Sequence, residues 1–277
     1  MATWKPSTRL LGFALAALSA ALLLSCNGDG GDGDGSGSPT AQGSPSPETS
    51  ATAEPTPTPN LTPELSPEPS PVPATQNVFG NPGFEEGRDP WFSLKPPDFE
   101  LADVAHSGQN AAYLNMRDAP ETAGAKVYYL VQEVKPTEFP EVISGYYRVD
   151  NWVKGTQKQY LQFVAIVFGA ENRPPEFPNH QIRYLLSGIS EDPFVINNAK
   201  FVYLSKEEPV QGEWIPFKVN VKQDFQDLWG AVPVNYERIR LLFEVRFDEK
   251  VPGVGSPEAD VYYDDLHFGP AASASVP

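Results

Sequence analysis

The sequence predicts an all-β fold, a two-sheet antiparallel β-sandwich spanning residues 76–270 with a short tail over 271–277. Three observations carry this. In ERIRLLFEVRF, residues 237–247, Ile239, Leu241, Phe243, Val245 and Phe247 alternate with Arg238, Arg240, Glu244 and Arg246, giving an extended segment one dry and one wet side. Similar apolar runs recur along the domain, separated by Pro- and Gly-rich turns such as GAENRPPEFPNH. Helix signals are nearly absent, and only KQDFQDLW, with Phe225, Leu228 and Trp229 at helical spacing, reads as a short helical turn.

The elements follow in chain order. Residues 1–25 have a basic start, Lys5 and Arg9, and an apolar run from Leu10 to Leu24 that is short for a bilayer span, the pattern of an export signal. Leu23-Leu24-Ser25-Cys26 resembles the lipobox of bacterial lipoproteins. That resemblance implies that Cys26 is lipidated, placing the protein on the extracellular face of a cell membrane with contact through the N-terminal lipid only. Cys26 is the only cysteine, so no internal disulfide can form.

Residues 26–75 are rich in Gly, Pro, Ser and Thr and too poor in apolar residues to repay ordering, which predicts a disordered spacer. At about 3.1 Å per residue where Pro extends it, the spacer reaches on the order of 100 Å. Within it, DGDGSG (residues 32–37) imitates the start of an EF-hand loop, but the twelfth place, which needs Glu, is Gly43.

The formal charge is -16, and removal of the signal with Lys5 and Arg9 but no acid makes it -16 - 2 = -18. Such a surface argues against nucleic acid and anionic lipid headgroups, and is compatible with neutral or cationic partners and with calcium.

From residue 76 the predicted strands are KVYYLVQEV (126–134), VISGYYRVDNWV (142–153), YLQFVAIVF (160–168), QIRYLLSG (181–188), KFVYLS (200–205), WIPFKVNV (214–221), residues 237–247, and VYYDDLHF (261–268). WIPFKVNV places Ile215, Phe217, Val219 and Val221 inward, whereas YLQFVAIVF is apolar on both faces and reads as a covered or central strand. In VYYDDLHF, strand parity groups Tyr262, Asp264, Leu266 and Phe268, which aims Asp264 at the packed side and gives it need of a partner.

NVFGNPGFEEGRDPW (77–91), AHSGQNAAYLN (105–115), GEWIPFKVNV (212–221) and VYYDDLHF resemble, in order, four landmarks of carbohydrate-binding modules of the CenC-like type. The resemblance implies a jelly roll of the galactose-binding type with a structural calcium where the first and last strands meet. It carries Glu85 over as a ligand, with Asp264 from the closing strand and Asp265 as the alternative or second donor.

Sugars are held by flat rings and planar polar groups, and aromatics make up 12% of the chain. The wet-face candidates are Tyr128, Gln132, Tyr146, Arg148, Trp152, Arg240 and Glu244, with Tyr160, Gln162 and Trp229 as further candidates; they form one surface if their strands are neighbours in one sheet. Packing is the competing role for every aromatic. The three histidines, His106, His180 and His267, have no metal-triad spacing, and no Ser or Cys nucleophile motif accompanies them. The expectation is a monomeric, non-catalytic surface lipoprotein that captures polysaccharide. The alternatives are a structural or protein-binding sandwich of the cell envelope, and a glycan hydrolase or lyase.

Overall fold

The computed structural model describes residues 76–155 and 158–274. In chain order the elements are β1 (Glu100–Ala102), β2 (Ala111–Arg117), β3 (Gly124–Val134), β4 (Val142–Val153), β5 (Lys158–Phe168), β6 (Asn179–Ser187), β7 (Ala199–Tyr203), β8 (Trp214–Val219), α1 (Val221–Trp229), β9 (Arg238–Lys250) and β10 (Glu258–Gly269). One sheet has the order β1-β2-β10-β4-β8 and the other β3-β9-β5-β6-β7. Pairing is antiparallel except between β6 and β7, which run parallel, so the expectation of a purely antiparallel sandwich holds for all but one edge. The chain crosses between sheets after β2, β3, β4, β7, β8 and β9, the winding of a jelly roll.

The two inner faces make one core. Ile239, Leu241, Phe243, Val245 and Phe247 of β9 face it, as their alternation predicts, and meet Leu161, Phe163 and Val167 of β5 and Val261, Tyr263 and Phe268 of β10. Phe243 is the hub, with ring centroids of Tyr263 at 5.3 Å, Phe163 at 5.7 Å, Trp91 at 6.1 Å and Phe79 and Phe217 at 6.2 Å. Truncating such a ring to Ala costs roughly 3–5 kcal/mol.

The predicted helical turn is α1, where Asn220 caps the N-terminus by accepting from the Gln223 N–H and Gly230, at φ 84°, closes the C-terminus. Phe225 anchors it in the core, while Leu228 stays exposed.

The closing strand departs from its expected parity. Asp265 adopts φ 49° and the β10–β4 register shifts between Asp264 and His267, a bulge that reverses the alternation. Asp264 therefore lies on the opposite face from Leu266 and Phe268, which are in the core. Gly145 sits close beside this bulge, where a Cβ would meet Leu266 Cδ2 at 2.7 Å and the Asp264 carbonyl at 3.3 Å.

Candidate functional site

The outer face of the sheet β3-β9-β5-β6-β7 is organised in rows that cross all five strands. One row runs Tyr129, Glu244, Gln162, Leu185, Tyr203, and the next runs Val131, Leu242, Val164, Arg183, Phe201. A third row is Glu133, Arg240, Ile166, Gln181, Ala199, and on the other side of the first lies the pair Arg246 and Tyr160. Rows on one face of a sheet lie about 7 Å apart and strands about 4.8 Å apart, so neighbouring rows are within reach of one extended ligand.

An outward-facing row is ordinarily wet, yet Val131, Val164, Tyr160, Gln162 and Leu185 have no exposed surface and Glu244 is 3% exposed. Part of the cover is the connection from β6 to β7. It leaves β6 at Gly188, where φ is 96° and a Cβ would meet the Gln159 carbonyl at 2.8 Å, and lays Ile189 against Tyr160 and Leu185. Farther along, the Phe194 ring lies 5.1 Å from the Arg183 guanidinium and 5.2 Å from that of Arg246. Tyr203 Oη donates to Asp192 at 2.8 Å and fastens the connection to β7.

Polar chemistry is concentrated beneath this cover. Gln162 Nε2 donates to Glu244 Oε2 at 2.5 Å, Arg246 Nη2 to Asp248 Oδ1 at 2.6 Å, and Tyr160 Oη to Asp248 Oδ2 at 2.6 Å. Five buried atoms here lack any hydrogen-bond partner: Gln162 Oε1, Gln181 Oε1, Arg183 Nε and Nη1, and Arg246 Nε. Only Ser144, His180 and Ser187 add such atoms elsewhere among the described residues, so the deficit is local. Burial pushes the Tyr129 phenol above its ordinary range, and the Glu244 charge adds to this. Burial likewise depresses the Arg183 guanidinium, with the Arg246 charge acting in the same direction and Glu244 opposing. Arg246 resists burial because Tyr160, Glu244 and Asp248 hold its charge, and ends above its ordinary value.

The expected sugar-binding residues do not form one surface. Tyr128 and Gln132 belong to the inner face of β3: Tyr128 is core and donates to the Arg117 carbonyl at 2.6 Å, while Gln132 clamps Gly80 through its N–H and C=O at 2.9 and 3.0 Å. Tyr129, next to Tyr128, is the residue that faces outward. Tyr146 and Arg148 stand on the outer face of the other sheet, where Arg148 pairs with Asp150 at 3.0 Å and the Tyr146 ring stacks on His106 at 3.6 Å. Trp152 packs against the core edge and donates to Glu208 at 2.8 Å, and Trp229 also packs on the core. Arg240 and Glu244 do share the outer face described above, but Glu244 is buried and Arg240 is paired with Glu133 at 2.7 Å. Tyr160 and Gln162 share that face too, as floor beneath the cover rather than as open surface. Arg183, Arg246 and Tyr129 went unrecognised; the one signal for Arg183 was a charge standing alone in the apolar run QIRYLL.

Glu85, Asp264 and Asp265 do meet at one corner. Asp264 Oδ2 accepts from the His106 and Ser107 N–H groups at 2.8 and 3.1 Å, and its Oδ1 from the Asp265 N–H at 2.7 Å. Asp265 takes the Ser107 hydroxyl and His106 Nδ1, each at 2.6 Å. Glu85 Oε1 accepts from the Gln109 and Asn110 N–H groups at 2.8 and 2.9 Å, which hold its carboxyl below the usual range. As placed, these carboxylates are turned to N–H and O–H donors rather than to a common centre. Among the described residues no three His, Cys, Asp or Glu are grouped to hold a metal ion. Cys26, the expected lipidation site, lies outside the described residues.

No family model matches the chain, and no curated protein matches it. Its architecture is similar to that of solved carbohydrate-binding modules. One is TmCBM61 in complex with β-1,4-galactotriose, 14% identical over 70% of this chain and 98% of that one, with a TM-score of 0.37. A second is CBM28, described as specific for non-crystalline cellulose, 16% identical over 72% of this chain and 98% of that one, with a TM-score of 0.38. A mutant ENZbleach xylanase is 9% identical over 75% of this chain and 94% of that one, with a TM-score of 0.30.

Proposed function

We propose that the domain binds a glycan chain along the outer face of the sheet β3-β9-β5-β6-β7, without cleaving it. The observation that carries this is the partly exposed strip of Tyr129, Arg183, Phe194, Phe201 and Tyr203 on and over that face, with Arg183 Nε and Nη1 lacking hydrogen-bond partners. Leaving a donor unmade costs about 1–3 kcal/mol, and a ligand oxygen reaching the Arg183 guanidinium would recover that cost. Rings flanking planar amide and guanidinium groups suit the alternating C–H faces and hydroxyls of a sugar.

The non-catalytic part of the reading rests on how the acids are engaged. Glu244 accepts from Gln162 and lies 3.6 Å from Arg246, and Asp248 is held by Tyr160 and Arg246, so both are engaged with neighbouring side chains beneath the cover rather than presented to a ligand. Display at a cell surface through lipidated Cys26 belongs to the same proposal and rests on the sequence 23–26. Structural calcium at Glu85, Asp264 and Asp265 is a separate proposal, supported by the hard-oxygen chemistry of three acids at one corner and opposed by the donors that already fill them.

The test is affinity electrophoresis of residues 76–277 against a panel of soluble neutral and acidic polysaccharides, with product analysis of each mixture. Retardation without release of shorter saccharides supports the proposal. Uniform mobility across the panel overturns it in favour of a structural or protein-binding role, and released oligosaccharides would make the domain an enzyme.

A further inference from the structure

We propose that the glycan is anionic, and that Arg183 receives the carboxylate of a uronic acid residue. This rests on the glycan-binding reading above and names the substrate class of the same face. Arg183 has no hydrogen bond or ion pair that would neutralise it, and its Nε and Nη1 are buried without partners. The Phe194 ring lies 5.1 Å away, and Glu244 and Asp248 act on its charge from beyond ion-pair contact. A partly buried charge is held best when it is paired, so a guanidinium with no carboxylate in contact suits an anionic ligand.

The surroundings fix the sign and the geometry. The chain carries a formal charge of -16, yet Arg183, Arg238, Arg240 and Arg246 gather on this face against Glu133, Glu244 and Asp248. The acids are already spoken for: Glu133 by Arg238 and Arg240, and Glu244 and Asp248 by Arg246. Among the described residues Arg183 is therefore the one arginine of the four without a carboxylate in ion-pair contact. Burial weakens its hold on its proton, Glu244 opposes this from beyond contact distance, and the Arg246 charge adds to it. A planar carboxylate matches a guanidinium, and the partly exposed Phe201 and Tyr203 rings on the adjoining strand flank the place where the same sugar ring would lie. The overall negative charge repels a polyanion at long range, so the selectivity has to come from this contact rather than from steering.

Isothermal titration of residues 76–277 with polygalacturonate, alginate and hyaluronan, each beside its carboxyl-reduced neutral derivative, tests the proposal. Binding of at least one polyuronate, weakened roughly tenfold or more by carboxyl reduction, is expected. Equal binding of the reduced form, or binding of neutral glycans only, would overturn the anionic assignment and leave the glycan reading standing. No binding to any acidic or neutral chain would overturn both. Arg183→Met supplies a second readout: it should abolish the preference for the acidic form while leaving the melting temperature no lower than wild type, because the partly exposed guanidinium has no carboxylate in contact to lose. A lower melting temperature with unchanged preference would make Arg183 structural. The comparison of native and reduced ligands stands even if the variant does not fold.

Discussion

The buried carboxylate of Asp264 accepts the backbone N–H of His106 at 2.8 Å, joining the final strand to a loop 158 residues earlier. The Ser107 N–H reinforces it at 3.1 Å, and Leu266 N–H donates to the Pro82 carbonyl at 3.0 Å, so three separate stretches of chain close on one corner. Replacing Asp264 with Ala strands these donors away from water. The expected loss is about 3 kcal/mol, or roughly 6–12 °C in melting temperature for a domain of this size, read by calorimetry. A change below 1 °C would show that the clasp contributes nothing to stability.

The same corner decides the calcium proposal. If Glu85, Asp264 and Asp265 exchange their N–H and O–H partners for an ion, millimolar calcium should raise the melting temperature and EDTA should lower it again, by an amount set by the ion's affinity. Identical melts in EDTA and calcium would leave hydrogen bonds as the whole of the closure. Gly108→Ala sharpens the comparison, since a Cβ there collides with the Glu85 carboxylate at φ 67° and should destabilise the domain in either buffer.

His180 and Asp264 give opposing pH dependence, and His267, whose pKa burial also lowers, acts in the same direction as His180. Burial lowers the His180 pKa to about 4, with the Arg173 charge adding to the effect, so its contribution is complete above the ordinary value near 6.5 and is lost as pH falls towards 4. Asp264 runs the other way: burial raises it to about 6, the Asp265 charge assists, and stability falls as pH rises from about 4 to 6. In chelator-containing buffer the two slopes offset each other between pH 4.5 and 6. His180→Phe, which keeps the edge-to-face packing on Phe225 and Trp229, should uncover the Asp264 slope and make the variant relatively more stable at pH 4.5 than at pH 6. Denaturant midpoints at the two pH values check this, and parallel shifts in wild type and variant would refute the His180 assignment.

How far these features could be read from the sequence depended on whether they were local. The phase of β9 was plain because charges mark one side of its alternation, and α1 was plain because Phe225 and Trp229 stand at helical spacing in a chain otherwise without it. The phase of β3 was not, because KVYYLVQEV carries rings and aliphatics at both parities, and its true assignment follows from Gln132 reaching Gly80 across 52 residues. The bulge at Asp265 defeated parity outright: the expected partner for Asp264 exists, but on the other face of the strand. Placing Tyr146 and Arg148 together with Arg240 and Glu244 failed for a non-local reason, since β4 and β9 belong to different sheets.

Tyr128 and Tyr129 are neighbours in sequence with opposite consequences. Tyr128 is packed in the core and bonded to the Arg117 carbonyl, so Tyr128→Ala should cost about 3 kcal/mol in stability, while any change in glycan affinity follows only from the loss of folded protein. Tyr129 stands across from Glu244 on the outer face, half-buried, with its ring against Val131, Val164 and Leu242. Tyr129→Ala should leave the stability within about 1 kcal/mol of wild type yet weaken glycan binding roughly tenfold, the worth of one stacked ring. Tyr146→Ala and Trp152→Ala, on the other sheet and at the core edge, should leave affinity unchanged. Affinity electrophoresis of the four variants beside their melting curves separates these outcomes. Loss of binding in Tyr146→Ala with Tyr129→Ala unaffected would move the ligand to the sheet β1-β2-β10-β4-β8.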